Sequence, residues 1–121
     1  ECRGLLLGHR IGYVKQVVDI VFSDESVQPE AHEENLHTPA KEMQDGELLA
    51  RTKGLEVVGS FHSRVNRPAR PSSQNRQNGQ PNSTVVMVGV QDGRAHELTA
   101  WTLSEDRSAY YQEDFRTSPK S

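Results

Sequence analysis

With 121 residues the chain has room for one hydrophobic core but not for two. Only 33% of it is hydrophobic and its mean hydropathy is -0.76, so any core is concentrated in a few segments joined by long polar connections. A net charge of -3 gives no general affinity for nucleic acid or membrane, and no apolar run approaches the roughly 18 residues of a membrane span. Cys2 is the lone cysteine, which excludes an internal disulfide and suits a reducing, cytoplasmic setting. The chain opens on Glu1 rather than Met, so an upstream piece is expected.

Leu5-Leu6-Leu7-Gly8 reads as a short buried strand. Gly12 permits a turn, and the valine- and isoleucine-rich run from Tyr13 to Phe22 reads as a second strand, antiparallel to the first. Residues 23 to 37 are polar and acidic, with His32 and His37 interspersed, and read as loop. Thr38-Pro39 is a helix start, a hydroxyl to cap and a proline at the first helical position. Ala40, Met43, Leu49 and Ala50 form an imperfect apolar stripe that Gly46 weakens, and Gly54 is the expected stop.

Leu55 to Phe61 is the third expected strand, with Leu55, Val57 and Phe61 on one face and Val58, Ser60 and His62 on the other. It gives way to a compositional anomaly. Residues 64 to 83 carry four arginines (Arg64, Arg67, Arg70 and Arg76), no acidic residue and three prolines (Pro68, Pro71 and Pro81). Such a segment buries too little apolar surface to order itself and needs a metal, a partner or a scaffold. Thr84 to Val90 is a strongly apolar strand, Asp92-Gly93 a tight hairpin signal, and Ala95 to Leu103 the returning strand. After a turn over 104 to 109, Tyr110 to Phe115 reads as a last short strand, and the tail beyond Arg116 is polar. This order of elements specifies an α/β protein with a mixed sheet. A single domain over 1–116 and a polar tail over 117–121 are expected.

Several motifs carry a resemblance. Glu1-Cys2-x-Gly4-Leu5-Leu6-Leu7-Gly8 resembles the opening of the JAMM/MPN zinc metalloprotease family in its small stand-alone prokaryotic form. Gly54-Leu55-Glu56-Val57-Val58-Gly59-x-x-His62-Ser63 resembles that family's central strand and the start of its metal motif, and Pro68-Ala69-Arg70-Pro71-Ser72 the segment that follows. Trp101 stands where the family commonly has a tryptophan. The resemblance covers roughly residues 1 to 103 and implies a curved mixed β-sheet packed between helices, with the family's N-terminal helix absent from this chain. It also implies a zinc hydrolase site built from a distant Glu, a His-x-His pair, a serine and an aspartate ten residues on. Two histidines and the aspartate hold zinc, a water fills the open position, and the Glu is the general base.

Carried over residue by residue, the catalytic Glu is Glu1, the first histidine is His62 and the oxyanion-stabilising serine is Ser72. The second histidine falls on Arg64 and the aspartate on Asn75. Arginine keeps its proton and offers no lone pair, so Arg64 cannot ligate zinc. Asn75 keeps one oxygen but loses the charge. In the family's pattern the Glu and Asp give the empty site a formal charge of -2, whereas here Glu1 and Arg64 cancel. With roughly 3–4 kcal/mol per ligand, His62 and a weak amide retain about 4 kcal/mol, or about millimolar affinity. Two arrangements of Arg64 are open. Its guanidinium takes the ion's place, pairing with Glu1 and bonding to Asn75, or it points to solvent beside a loose loop. The second is favoured, because a site without its metal has no need of order.

Other candidates have plainer explanations. His9, His32, His37 and His96 lack ligand spacing to His62 and are expected on the surface. The spacing of Ser72 and His62 carries no weight for a serine hydrolase, and Cys2 is expected as a small packed thiol. The arginines of 64 to 83 have no aromatic residue among them to stack a base, which favours a solvated loop over an RNA or phosphate site. The resemblance thus implies a zinc-poor domain with hydrolysis lost or impaired, acting at most as a scaffold or as a binder of a ubiquitin-like or sulfur-carrier protein tail. An active zinc peptidase or isopeptidase with ligands from elsewhere is the alternative, and a decaying sequence without activity the third reading.

Overall fold

The computed structural model describes residues 2–23, 38–72, 75–76 and 79–115. Glu1, residues 24–37 with His32 and His37, where a loop was expected, and residues 116–121 lie outside the described residues. Within them run β1 (Arg3–Ile11), β2 (Val14–Phe22), α1 (Ala40–Thr52), β3 (Glu56–Val65), β4 (Thr84–Gln91), β5 (Arg94–Leu103) and β6 (Tyr110–Glu113). The strands form one sheet in the order β2-β1-β3-β4-β5-β6. β3 and β4 pair in parallel, and every other neighbouring pair is antiparallel. The expected mixed sheet is therefore present. Both short hairpins turn where glycine marked them: Gly12 lies at φ 62, and Asp92 and Gly93 at φ 54 and 77, the left-handed values a two-residue turn requires.

The expectation of helices on both sides of the sheet is not met: α1 is the one helix of eight residues or more among the described residues. It lies over β1 and β3, where Leu5, Leu7 and Ala50 form a buried cluster with Val21, Met43 and Val57 packed around it. Gly46, which looked like a weakness, sits against β1. A Cβ there would stand 2.3 Å from Leu5 Cδ1, so the missing side chain brings helix and sheet together. Two ion pairs fix the helix axis. Glu42 accepts two bonds from the Arg3 guanidinium at 2.8 and 2.9 Å, and Lys53 donates to Asp19 at 2.6 Å. Pro39 is the N-cap and the helix begins at Ala40, one residue later than expected, with no side-chain capping bond. Gly54 at φ 70 ends the turn after it as expected, with its N–H on the Arg51 carbonyl at 3.1 Å.

The face assignment for β3 needs correction. The β1–β3 register shifts between Leu6 and Leu7, so Leu7 faces Val57 while Leu6 faces Gly59, and Val58 is the extra residue. A bulge of this kind reverses the alternation. Val57 therefore belongs with Leu5 and Leu7 under the helix, whereas Val58 and Phe61 cluster with Leu6 on the other face. Beyond the bulge, Ser60, His62 and Arg64 share the helix-side face. Pairing with β4 sets them beside Val85, Met87 and Gly89.

The other face is closed in part by the sheet itself. Lys15 in β2, at one edge, donates to the Thr84 hydroxyl in β4. Thr84 in turn donates to the Glu113 carboxylate in β6, at the opposite edge, at 3.0 Å. Side chains from the first and last strands of the sheet meet on one residue only because the sheet is strongly curved. Phe22 reaches across to Phe61 edge-on, with ring centroids 5.4 Å apart.

Candidate functional site

His62, Arg64, Ser72 and Asn75 occupy β3 and the crossover that follows it. This crossover is the segment expected to need outside help to order, and the scaffold supplies the help. Asn66, at φ 54, turns the chain out of β3 and donates its N–H to the Val90 carbonyl at 2.7 Å. Ala69 then drops into a buried cluster with Val85 and Met87. Its N–H donates to Glu97 Oε1 at 2.9 Å and its carbonyl accepts from the Thr99 hydroxyl. Gly89 leaves room for this approach: a Cβ there would stand 3.2 Å from that of Glu97, a tight contact, and 3.4 Å from that of Ala69.

The crossover next returns over β3. Asn75 is fully buried, and Arg64 is 5% exposed. Arg64 Nη2 donates to Asn75 Oδ1 at 2.8 Å, and the Ser72 backbone N–H donates to the same oxygen at 2.7 Å. Asn75 answers with its own N–H on the Ser72 carbonyl at 3.1 Å and hydroxyl at 3.3 Å. Its backbone carbonyl accepts from the Tyr110 hydroxyl at 3.3 Å. Burial pushes the Tyr110 phenol up to about 12, against the opposing pull of the Arg107 and Arg64 charges. The phenol is therefore a neutral donor at any ordinary pH.

The favoured expectation for Arg64 is thus overturned: the side chain is buried and ordered against Asn75, not turned to solvent. The cause is the crossover's own anchoring. Once Ala69 and Tyr110 hold the segment over β3, the Arg64 charge is enclosed, and an enclosed guanidinium requires an acceptor. Asn75 Oδ1 is one such acceptor. The other half of the proposed arrangement, an Arg64–Glu1 pair, lies outside the described residues.

The remaining candidates fall into place around this centre. His62 is buried on the same face of β3 as Arg64. Ser72 is half-buried and engaged with Asn75. Cys2 is half-buried, its N–H on Ser63 Oγ at 2.7 Å, as a packed thiol would be. His9 and His96 are exposed. Trp101 packs against the Ala69 cluster and donates to Thr99 Oγ1 at 2.8 Å. Tyr110, Glu97, Thr99 and Gly89 hold the crossover, and none was singled out in the sequence. Their partners lie some 30 residues away, where no local pattern points to them.

These residues do not fit a zinc ion. Where zinc would need a second imidazole, the structure has a cation bonded to a neutral amide. The Asn75 Nδ2 atom is a buried donor with no acceptor among the described residues, the opposite polarity to a metal ligand. Among the described residues no group of three or more His, Cys, Asp and Glu side chains is placed to hold a metal.

The mixed sheet has a parallel central pair joined by a folded-back crossover, tied to the strand end by Arg64 and Asn75, an arrangement that suits a JAB-type domain. The chain belongs to the family described as prokaryotic homologs of the JAB domain, which matches residues 1–104. A solution structure of a protein from Salinibacter ruber (strain DSM 13855) is similar, with a TM-score of 0.73 and 32% identity over 100% of this chain and 80% of that one. A solution structure of a protein from Desulfitobacterium hafniense shares the fold, with a TM-score of 0.75 and 20% identity over 93% of this chain and 75% of that one. No curated protein matches the chain. No helix among the described residues is long and apolar enough to cross a membrane.

Proposed function

We propose that this chain is a JAB-type domain working without zinc, in which Arg64 replaces the ion and the retained fold binds an extended tail of a ubiquitin-like or sulfur-carrier protein. One observation carries this reading: the buried hydrogen bond from Arg64 to Asn75, between the two positions that resemblance to the JAMM pattern assigns to metal ligands. The bond gives the guanidinium the tethering role of a metal, joining the strand end to the crossover. It supplies no open coordination position, so no water is activated there. Ser72, the position expected to steady an oxyanion, donates its N–H to Asn75 and accepts the Asn75 N–H on its hydroxyl.

The test is metal content read beside a restored motif. The purified chain is expected to carry no stoichiometric zinc and to show no chelator-sensitive peptidase activity. Arg64→His with Asn75→Asp is expected to gain zinc, and Asn75→Asp alone to gain none, because the cation is still in place. Stoichiometric zinc on the unaltered chain with His62 as a ligand would overturn the proposal and leave an active peptidase in its stead. Tail binding is tested separately, by titrating the isotope-labelled chain with ubiquitin and with a bacterial sulfur-carrier protein and following amide shifts.

A further inference from the structure

Seven of the thirteen large hydrophobic side chains exposed among the described residues fall within residues 11–22, in the β1–β2 hairpin. β-Branched residues favour strands wherever they lie, and single exposed ones are ordinary, but such a concentration in one hairpin marks an interaction surface. The turn half carries its densest part. Ile11 is 60% exposed, Tyr13 108%, Val14 62%, Val17 46% and Val18 57%. Ile11 and Val14 stand opposite each other in the register, and Val17 stands opposite Gly8, which has no side chain to cover it. β2 is an edge of the sheet, so no strand flanks its outer side among the described residues. The patch is also far from where the described chain breaks off. Ser23 closes on Arg3 and Glu42 at the other end of the hairpin, about 30 Å along the strand from Val14 at about 3.3 Å per residue.

The charges decide what fits this patch. Each formally charged side chain of the hairpin meets a partner in its own chain. Arg3 holds Glu42 at 2.8 Å, Arg10 holds Glu56 at 3.3 Å and Lys53 holds Asp19 at 2.6 Å. Lys15 bonds to Thr84, which also holds Glu113. A surface for anionic lipid or nucleic acid needs uncommitted Lys or Arg beside its apolar residues, and this hairpin keeps none. A second copy of the chain presents the same apolar, charge-balanced surface, so like charges do not oppose its approach.

We infer that two copies of this chain associate through the turn halves of their β1–β2 hairpins, with Ile11, Tyr13, Val14, Val17 and Val18 against the same face of the second copy. Such a contact is isologous and closes as a dimer. Open-ended strand pairing is blunted by two features of the edge. The register shift leaves Val18 as an extra residue in β2, and Lys15 turns in to Thr84. The contact is therefore made by side chains. Four aliphatic residues and one tyrosine present about 400–600 Å² per copy, so the dimer buries roughly 800–1,200 Å², the range of weak, reversible association.

Sedimentation of the full chain over about 10 µM to about 1 mM is expected to show a reversible monomer–dimer equilibrium, with concentration-dependent amide shifts confined to 9–19. Tyr13→Asp, in the exposed turn, and Val18→Lys, on the outer strand, are each expected to weaken dimerisation about tenfold or more. Leu48→Asp places a charge on an exposed apolar position of α1, outside the patch, and is expected to leave dimerisation unchanged. A monomer throughout the range overturns the inference. So does a dimer indifferent to both hairpin variants, or one that Leu48→Asp weakens as much as they do. Co-sedimentation with phosphatidylglycerol vesicles by a chain that stays monomeric in solution overturns it in favour of a membrane.

Discussion

Arg64 and Asn75 stand eleven residues apart in the chain and share one buried hydrogen bond of 2.8 Å, cation to amide oxygen. A hydrogen bond to a charged group is worth about 1.5–3 kcal/mol, and its loss leaves a polar group enclosed. The two residues are therefore expected to behave as one unit. In a double-mutant cycle of Arg64→Met and Asn75→Leu, read by urea denaturation, the coupling energy is expected to be about 1.5–3 kcal/mol. Independent, additive effects would show that the bond does not hold the crossover. Arg64→Lys is expected to recover only part of the loss, because a compact ammonium lacks the planar fork.

Tyr110 reports on the same centre through pH. Its folded pKa is raised to about 12, chiefly by burial, above the ordinary value of 10.0. Between about pH 10 and pH 12 the unfolded chain gives up this proton while the native chain keeps it, so the group's contribution to stability falls as pH rises through that window. Tyr110→Phe is expected to flatten that part of the stability profile. The tyrosinate absorbance that the substitution removes is expected to titrate near 12. Arg64→Met, which deletes a cation that pulls the value down, is expected to move it higher still.

Gly79 lies under Tyr110. A Cβ at this position would stand 2.8 Å from the Asn75 carbonyl oxygen, 2.3 Å from the Tyr110 hydroxyl and 3.1 Å from Leu103. The backbone oxygen has little freedom to move. Gly79→Ala is expected to cost about 1–3 kcal/mol by overpacking and to break the bond from Tyr110 to Asn75. A melting temperature equal to the parent's would contradict this packing.

Thr84 holds the curvature of the sheet. Thr84→Val keeps the shape and deletes the hydroxyl that serves both Lys15 and Glu113. A loss of about 1–3 kcal/mol is expected, the cost of leaving such partners without their bond. Amide exchange is expected to rise in β2 and β6 together, although these strands lie at opposite edges of the sheet. Faster exchange in one strand alone would mean that the two edges are not joined through Thr84.

Much of the fold was legible because local chemistry settled it. Gly12 and Asp92-Gly93 marked turns that form as expected, since left-handed backbone favours those residues. The strands announced themselves as β-branched runs, and the family followed from residues at both ends of β3. What failed was information of longer range. The Val58 bulge depends on the register with β1, so alternation alone misassigned Phe61. Gly46 reads as a poor helix residue until Leu5 is seen beneath it. The order of the crossover was missed for the same reason, because Glu97, Thr99 and Tyr110 fix it from another part of the chain. The residues of the candidate site came from the family resemblance, but whether Arg64 is enclosed or solvated was a question only packing could answer.

The meeting of Lys15 and Glu113 on Thr84 also dictates an order of events. Thr84 is separated from Lys15 by 69 residues and from Glu113 by 29, so the contact closes nearly the whole chain into a ring. As the protein emerges from a ribosome, the β1–β2 hairpin is complete long before the strand that secures it exists. Until β4 arrives, the hairpin lacks the Lys15 contact with Thr84, and until β6 arrives Thr84 lacks its Glu113 partner. Pairings this distant in sequence make a domain slow to fold for its size. Stopped-flow refolding is therefore expected to show β2 gaining its final protection in the same kinetic phase as β6, an early strand waiting on the last.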